Sequence, residues 1–151
     1  MTGQSSDKSG WANRNPAEIK RIITDSRTIA VVGLSSNPSR PSYRVARYLQ
    51  KQGFVIIPVN PRETEVPGEH AYPDLATIKG SIDIVQVFRK SEDAPAIVAE
   101  AIAKSAACIW LQEGVVSPEA SCLTGQASIP IVMNRCLKRE YQRLRREHGR
   151  T

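Results

Sequence analysis

Five short runs rich in Ile and Val recur along the chain, each ending at a residue that turns the backbone. They are Thr28 to Leu34 (TIAVVGL), Val55 to Asn60 (VIIPVN), Ile82 to Phe88 (IDIVQVF), Cys108 to Leu111 (CIWL) and Ile129 to Met133. β-Branched side chains lose rotamer freedom in a helix and pack well on a pleated surface, so runs this short read as strands. Each is nearly continuous in its apolar character. A strand that is apolar on both faces belongs in a parallel sheet covered on both sides, because a sheet with one wet face alternates apolar and polar residues.

Helical stretches separate the runs. Pro16 to Asp25 precedes the first strand and would cover one edge of the sheet. Ser42 can cap SYRVARYLQKQ, with Val45, Ala46 and Leu49 on one face and Gly53 at the end. Tyr72 to Lys79 reads as a short helix closed by Gly80. A longer one starts at Ser91 or Asp93 and runs through Lys104, and two more span Pro118 to Thr124 and Leu137 to Glu147. The alternation predicts an α/β fold: a Rossmann-like, doubly wound, five-stranded parallel sheet with helices on both faces. Right-handed crossovers make 3-2-1-4-5 the expected strand order. The 151 residues suffice for one domain, read as residues 16–151 after a polar leader at 1–15.

Charge and composition narrow the function classes. The net charge of +6 is concentrated in the tail: from Arg135 onward seven Lys/Arg face Glu140 and Glu147, a net of +5. Such a run is usually one solvated helix face, and less often a patch for anions or nucleic acid. No apolar run approaches the roughly 20 residues that span a bilayer. The polar start MTGQSSDKSG lacks a signal-peptide core, so a cytoplasmic location without membrane association is expected. Cys108, Cys122 and Cys136 have no metal-binding spacing, and reduced structural thiols are the default.

In a parallel α/β sheet, ligands bind beyond the carboxyl ends of the strands. That directs attention to five junctions: Gly33–Ser42, Asn60–Arg62, Phe88–Lys90, Gln112–Val115 and Asn134–Cys136. At the first, Gly33 allows a tight turn, and Ser35, Ser36 and Asn37 offer donors. The helix that follows points free N–H groups and its positive dipole end into the same space, with Arg40 and Arg44 beside it, which suits a phosphate. The glycine pattern is GLSSNP, not GxGxxG, and the second strand ends in Asn60 where an NAD site wants a carboxylate for the ribose. Arg62 would instead welcome a phosphate, which leaves NADP open.

Taken together, GLSSNPSRPSYRVARYLQKQGFVIIPVNP, VFR, WLQEGV and NRCLKREYQRL resemble the bacterial and archaeal CoA-binding protein family. That family is similar to the N-terminal CoA-binding domain of the succinyl-CoA synthetase α-subunit, standing alone. The resemblance covers residues 16–147 and implies coenzyme A, free or acylated, as the ligand. It implies that Gly33, Ser35, Ser36, Arg40 and Ser42 hold the diphosphate. Val59, Asn60, Pro61 and Arg62 would lie near the adenosine and its 3′-phosphate. Phe88 and Arg89 would line the pantetheine arm, with Gln112 and Gly114 closing the far side. Asn134 stands where the family usually carries an acidic residue.

A catalytic apparatus is not evident. The synthetase relays phosphate through a histidine of a second domain, whereas His70 lies in a polar turn and His148 in the basic tail. No Ser/His/Asp set, HExxH or Walker A pattern occurs. Cys136, beside Arg135, is the one thiol on the ligand-binding rim, though a small buried residue in a tight turn is the default there. A binding module without its own catalysis is therefore expected, with a protein partner or a second copy left open. Two alternatives remain: an NADP-dependent or acyl-transfer enzyme completed by a partner chain, and a nucleic-acid-binding protein using the basic C-terminal helix.

Overall fold

A computed structural model of the chain describes residues 15–66 and 68–149. The expected leader lies outside the described residues, apart from Asn15, as does the end of the basic tail. In order, the elements are α1 (Pro16–Asp25), β1 (Thr28–Val32), α2 (Pro41–Lys51), β2 (Val55–Val59), β3 (Ile84–Val87), a 3-10 turn at Ser91–Asp93, α3 (Ala94–Ala103), β4 (Cys108–Leu111), α4 (Pro118–Ala127), β5 (Ile131–Val132) and α5 (Leu137–Gly149).

All five strands run parallel, in the order β2-β1-β3-β4-β5. The α/β, Rossmann-like class stands, but the expected order 3-2-1-4-5 does not. The reason lies between β2 and β3. The place outside β2 is taken by one residue, Tyr72, whose N–H donates to Pro58 O (2.9 Å) and whose carbonyl accepts from Asn60 N–H (2.8 Å). With that edge already filled, the next full strand crosses to the far side of β1.

The helix expected over Tyr72–Lys79 is absent as well. Asp74 accepts from Thr77 N–H (3.0 Å) and closes a single turn, while Leu75 and Ile78 insert into the core. A lone turn fixes several dihedrals for one hydrogen bond, and β-branched Thr77 and Ile78 followed by Gly80 give it nothing to propagate.

Alternate side chains of each strand enter two separate apolar layers. Ala30, Val32, Val85, Val87, Ile109 and Leu111 face α3 and α4, meeting Val98, Ala101 and Ala120. Ile29, Val31, Ile84, Cys108, Trp110 and Val132 face the other way, against Val45 and Leu49 of α2 and Leu137 and Leu144 of α5. Helix α1, expected at an edge, lays Ile19 and Ile23 into this second layer. Its start is the best-specified in the chain. Asn15 accepts from Glu18 N–H (2.9 Å), the Glu18 carboxylate accepts from Asn15 N–H (3.2 Å), and Pro16 occupies the first helical position.

Trp110 is fully buried, and its indole N–H donates to Arg135 O at 2.8 Å, tying β4 to the segment that leads into α5. Trp110→Ala is expected to cost about 3–5 kcal/mol through lost burial and the cavity left behind. Urea unfolding monitored by far-ultraviolet circular dichroism measures it, and a loss below 1 kcal/mol contradicts the packing described.

Candidate functional site: the carboxyl rim of the sheet

Register brings the strand ends together. Val32 pairs with Val59 and with Val87, and Val87 pairs with Leu111, so Gly33, Asn60, Phe88 and Gln112 are the next residues out along one rim. Gly33 is the point of closest approach. Its φ is +90°, its N–H donates to Val59 O at 2.8 Å, and a Cβ placed on it would lie 2.6 Å from Phe88 O and 2.9 Å from Arg89 Cδ. Only glycine fits, on both conformational and steric grounds.

From Gly33 the loop is shaped by its own polar groups. Asn60 Nδ2 donates to Leu34 O (3.0 Å), which ties the end of β2 to the loop, and Asn60 Oδ1 accepts from Arg62 N–H (3.0 Å). Ser35 Oγ accepts from Asn37 N–H (3.0 Å), and Asn37 Oδ1 accepts from both Ser39 N–H and its hydroxyl. Ser42 does not cap the helix. Helix α2 starts at Pro41, with Arg40 at the capping position and no side-chain cap. Proline fits the first helical position because it has no N–H to leave unpaired, and this moves the capping position two residues earlier, from Ser42 to Arg40. Ser42 is 5% exposed, and its hydroxyl accepts from Ser35 N–H at 3.1 Å, so it holds the loop from inside.

Ser36 carries the most informative contact. Its N–H (3.2 Å) and its hydroxyl (2.9 Å) both donate to one oxygen of Glu63. Glu63 was not among the residues singled out in the sequence, because it lies in the loop after β2 with no periodic or motif signal. Arg40 and Arg62 have no side-chain partner among the described residues, whereas Arg89 forms an exposed pair with Asp93 at 3.5 Å.

The far side of the rim is also built. Phe88 N–H donates to Val32 O (2.9 Å) and Gln112 N–H to Val87 O (3.2 Å). Phe88, Arg89, Gln112 and Val115 line a cleft of about 520 Å³. Gly114 N–H donates to Asn134 Oδ1 at 2.7 Å, which joins the last two junctions; Asn134 itself has φ +56°. Thus all the sequence-singled positions fall on one rim, but Val59 is buried and contributes its carbonyl, and Ser42 is interior. A cavity of about 480 Å³ at the other end of the strands, lined by Ile22, Asp25, Asp83 and Ala107 among others, contains none of them.

The basic tail is largely engaged. Arg135 and Arg143 both bond the buried Glu140 carboxylate, Arg139 pairs with Glu113 (2.6 Å), Arg145 donates to Gln52 (2.6 Å), and Lys138 lies 5.2 Å from the Tyr48 ring centre. Cys108 and Cys136 are buried and Cys122 is exposed, and none of the three is in a disulfide. His70 is exposed, edge-on to Tyr72 at 4.8 Å. Among the described residues no group of three or more His, Cys, Asp and Glu is placed to hold a metal ion, and no helix is long and apolar enough to cross a membrane.

A parallel sheet with a glycine loop entering a helix, a Ser-rich turn and a polar rim defines a Rossmann-like α/β domain, a class in which ligands lie beyond the carboxyl ends of the strands. The family model described as "CoA binding domain" matches residues 27–142, and the chain belongs to that family. It is 42% identical over 126 residues to the uncharacterized protein YneT of Bacillus subtilis, covering 83% of this chain and 93% of that one. It is also 42% identical over 59 residues to the acetate–CoA ligase [ADP-forming] II subunit alpha of Pyrococcus furiosus, 38% of this chain and 13% of the ligase subunit. A hypothetical protein from Pyrococcus horikoshii superposes with a TM-score of 0.84 at 37% identity, covering 87% of this chain and 92% of that one.

Gly33→Ala is expected to destabilise the fold by about 2–4 kcal/mol, because backbone strain and a clash with the Phe88 carbonyl add together. Gly114 also has positive φ (+91°), but an added Cβ there meets nothing within 4 Å. Gly114→Ala should therefore cost only about 1 kcal/mol. Equal losses for the two variants in thermal melts would contradict the close approach assigned to Gly33.

Proposed function

We propose that the chain binds coenzyme A or an acyl-CoA along this rim and acts as a binding module without catalysis of its own. The diphosphate sits at the Gly33–Ser42 loop, on free N–H groups of the α2 amino terminus, with Arg40 beside it. The adenosine and 3′-phosphate lie by Val59, Asn60, Pro61 and Arg62. The pantetheine arm runs past Phe88 and Arg89 toward Gln112 and Gly114.

The observation that carries the reading is the Ser36–Glu63 contact. A backbone N–H and a hydroxyl in the predicted phosphate loop converge on an anionic oxygen, as they would on a phosphate. Family membership and the unpaired Arg40 and Arg62 point the same way. The nucleic-acid alternative loses support from the same geometry. Most of the tail's cations already bond Glu113, Glu140 or Gln52 or cover Tyr48, which leaves few to neutralise phosphates.

The test is to denature purified protein, seek released CoA by mass spectrometry, and titrate CoA, NADP and ADP calorimetrically. CoA should bind at micromolar strength or better, and Gly33→Asp should abolish binding. Binding of NADP without CoA overturns the reading. Glu63→Gln should tighten CoA by about threefold to tenfold, because one negative charge no longer competes with the ligand's phosphates. Unchanged or weaker binding by that variant would mean the Ser36 donors do not meet the ligand.

A further inference from the structure

A polar side chain is sealed inside the sheet at Gln86. It is 0% exposed, in the centre of β3, opposite Val31 of β1 and Trp110 of β4. Its neighbours on that face (Val31, Ile84 and Trp110) are apolar and buried. Gln86 Nε2 donates to Gln112 Oε1 at 2.9 Å, and Gln86 Oε1 has no partner among the described residues. Exchanging the ends of both amides would restore the bond but leave both N–H bonds of Gln86 without an acceptor inside the sheet, and a buried orphan N–H is rarer than an under-satisfied carbonyl, which favours the orientation in which Gln86 donates. For stability alone this arrangement is poor, since two apolar side chains of the same shape would pack without an orphan.

What the pair does accomplish is to fix Gln112. That residue sits one step beyond β4 and is 5% exposed, and it lines the cleft with Phe88 and Arg89. Its backbone N–H is held by Val87 O, and its side-chain oxygen is held by Gln86. With the oxygen engaged, the Gln112 Nε2 group donates to no protein atom among the described residues. A rigid amide at a cleft wall with its oxygen satisfied and its N–H free is a donor for a carbonyl.

We propose that Gln86 is a positioning residue, which holds Gln112 so that the Gln112 side-chain N–H donates to an amide carbonyl of the ligand's pantetheine arm. This rests on the CoA reading above and adds a residue that reads the arm rather than the nucleotide. Gln86 acts through Gln112 and does not itself touch the ligand.

The test compares CoA with 3′-phospho-ADP, the same nucleotide without the arm, by calorimetry on the wild-type chain, Gln86→Met, Gln112→Met and the double variant. Each single variant should bind CoA about fivefold to tenfold more weakly and 3′-phospho-ADP unchanged. The double variant should be no weaker than Gln112→Met alone, because one residue works through the other. It should also melt no lower than the wild type. Should Gln86→Met fail to fold, selective loss of CoA by Gln112→Met, a rim substitution, still supports the assignment. Unchanged CoA affinity in Gln112→Met, or equal weakening of both ligands, overturns this inference while leaving the CoA reading intact. If the wild-type chain binds 3′-phospho-ADP but gains nothing from the arm, the inference also fails. If it binds neither, the reading beneath it fails too.

Discussion

Gly33 stands where β1, β2 and β3 end side by side, and the rim is arranged around the space its missing side chain leaves. Its N–H closes onto the end of β2, and the backbone at Phe88 comes within 2.6 Å of where a Cβ would be. This close approach is available only because three parallel strands share one register, so that their last residues arrive at the same level. Asn60, Ser35 and Ser42 then fix the loop from three directions. The shape of the loop ahead of α2 is the outcome of these backbone constraints, not of any single charged side chain.

Electrostatics add to that frame in an uneven way. The chain is strongly basic by count, yet the cations of α5 mostly bond acids and amides within the molecule, and the buried Glu140 draws in Arg143 of α5 together with Arg135 just ahead of it. At the Gly33–Ser42 loop the balance is reversed, because Arg40 and Arg62 have no side-chain partner among the described residues while the Glu63 carboxylate occupies loop donors. Net charge therefore says little about the partner here. What matters is which charges the fold leaves free and where it leaves them.

The relatives are consistent with a module used in more than one setting. YneT matches over nearly its whole length, whereas the Pyrococcus ligase subunit shares 13% of its length with this chain.

Strand positions were legible in the sequence because strands buried on both faces must be apolar throughout, and Pro16–Asp25 because its capping box and proline are local signals. The rim was legible too, since ligands of parallel α/β sheets bind beyond strand ends. Strand order was not, because an apolar run records its burial and not its neighbours. That order turned on Tyr72 filling an edge with a single bridge. Glu63 and Gln86 escaped for related reasons: one acts across a loop with no periodicity, and the other is a single polar residue in an apolar run. The sequence by itself determined the five strands, five of the six expected helices and which end of the sheet carries the loop-lined rim, since these follow from short-range periodicity and turn chemistry. Only the tertiary structure decided which donors are already occupied, which cations are free, and that Gln86 reaches Gln112, because those contacts join residues distant along the chain.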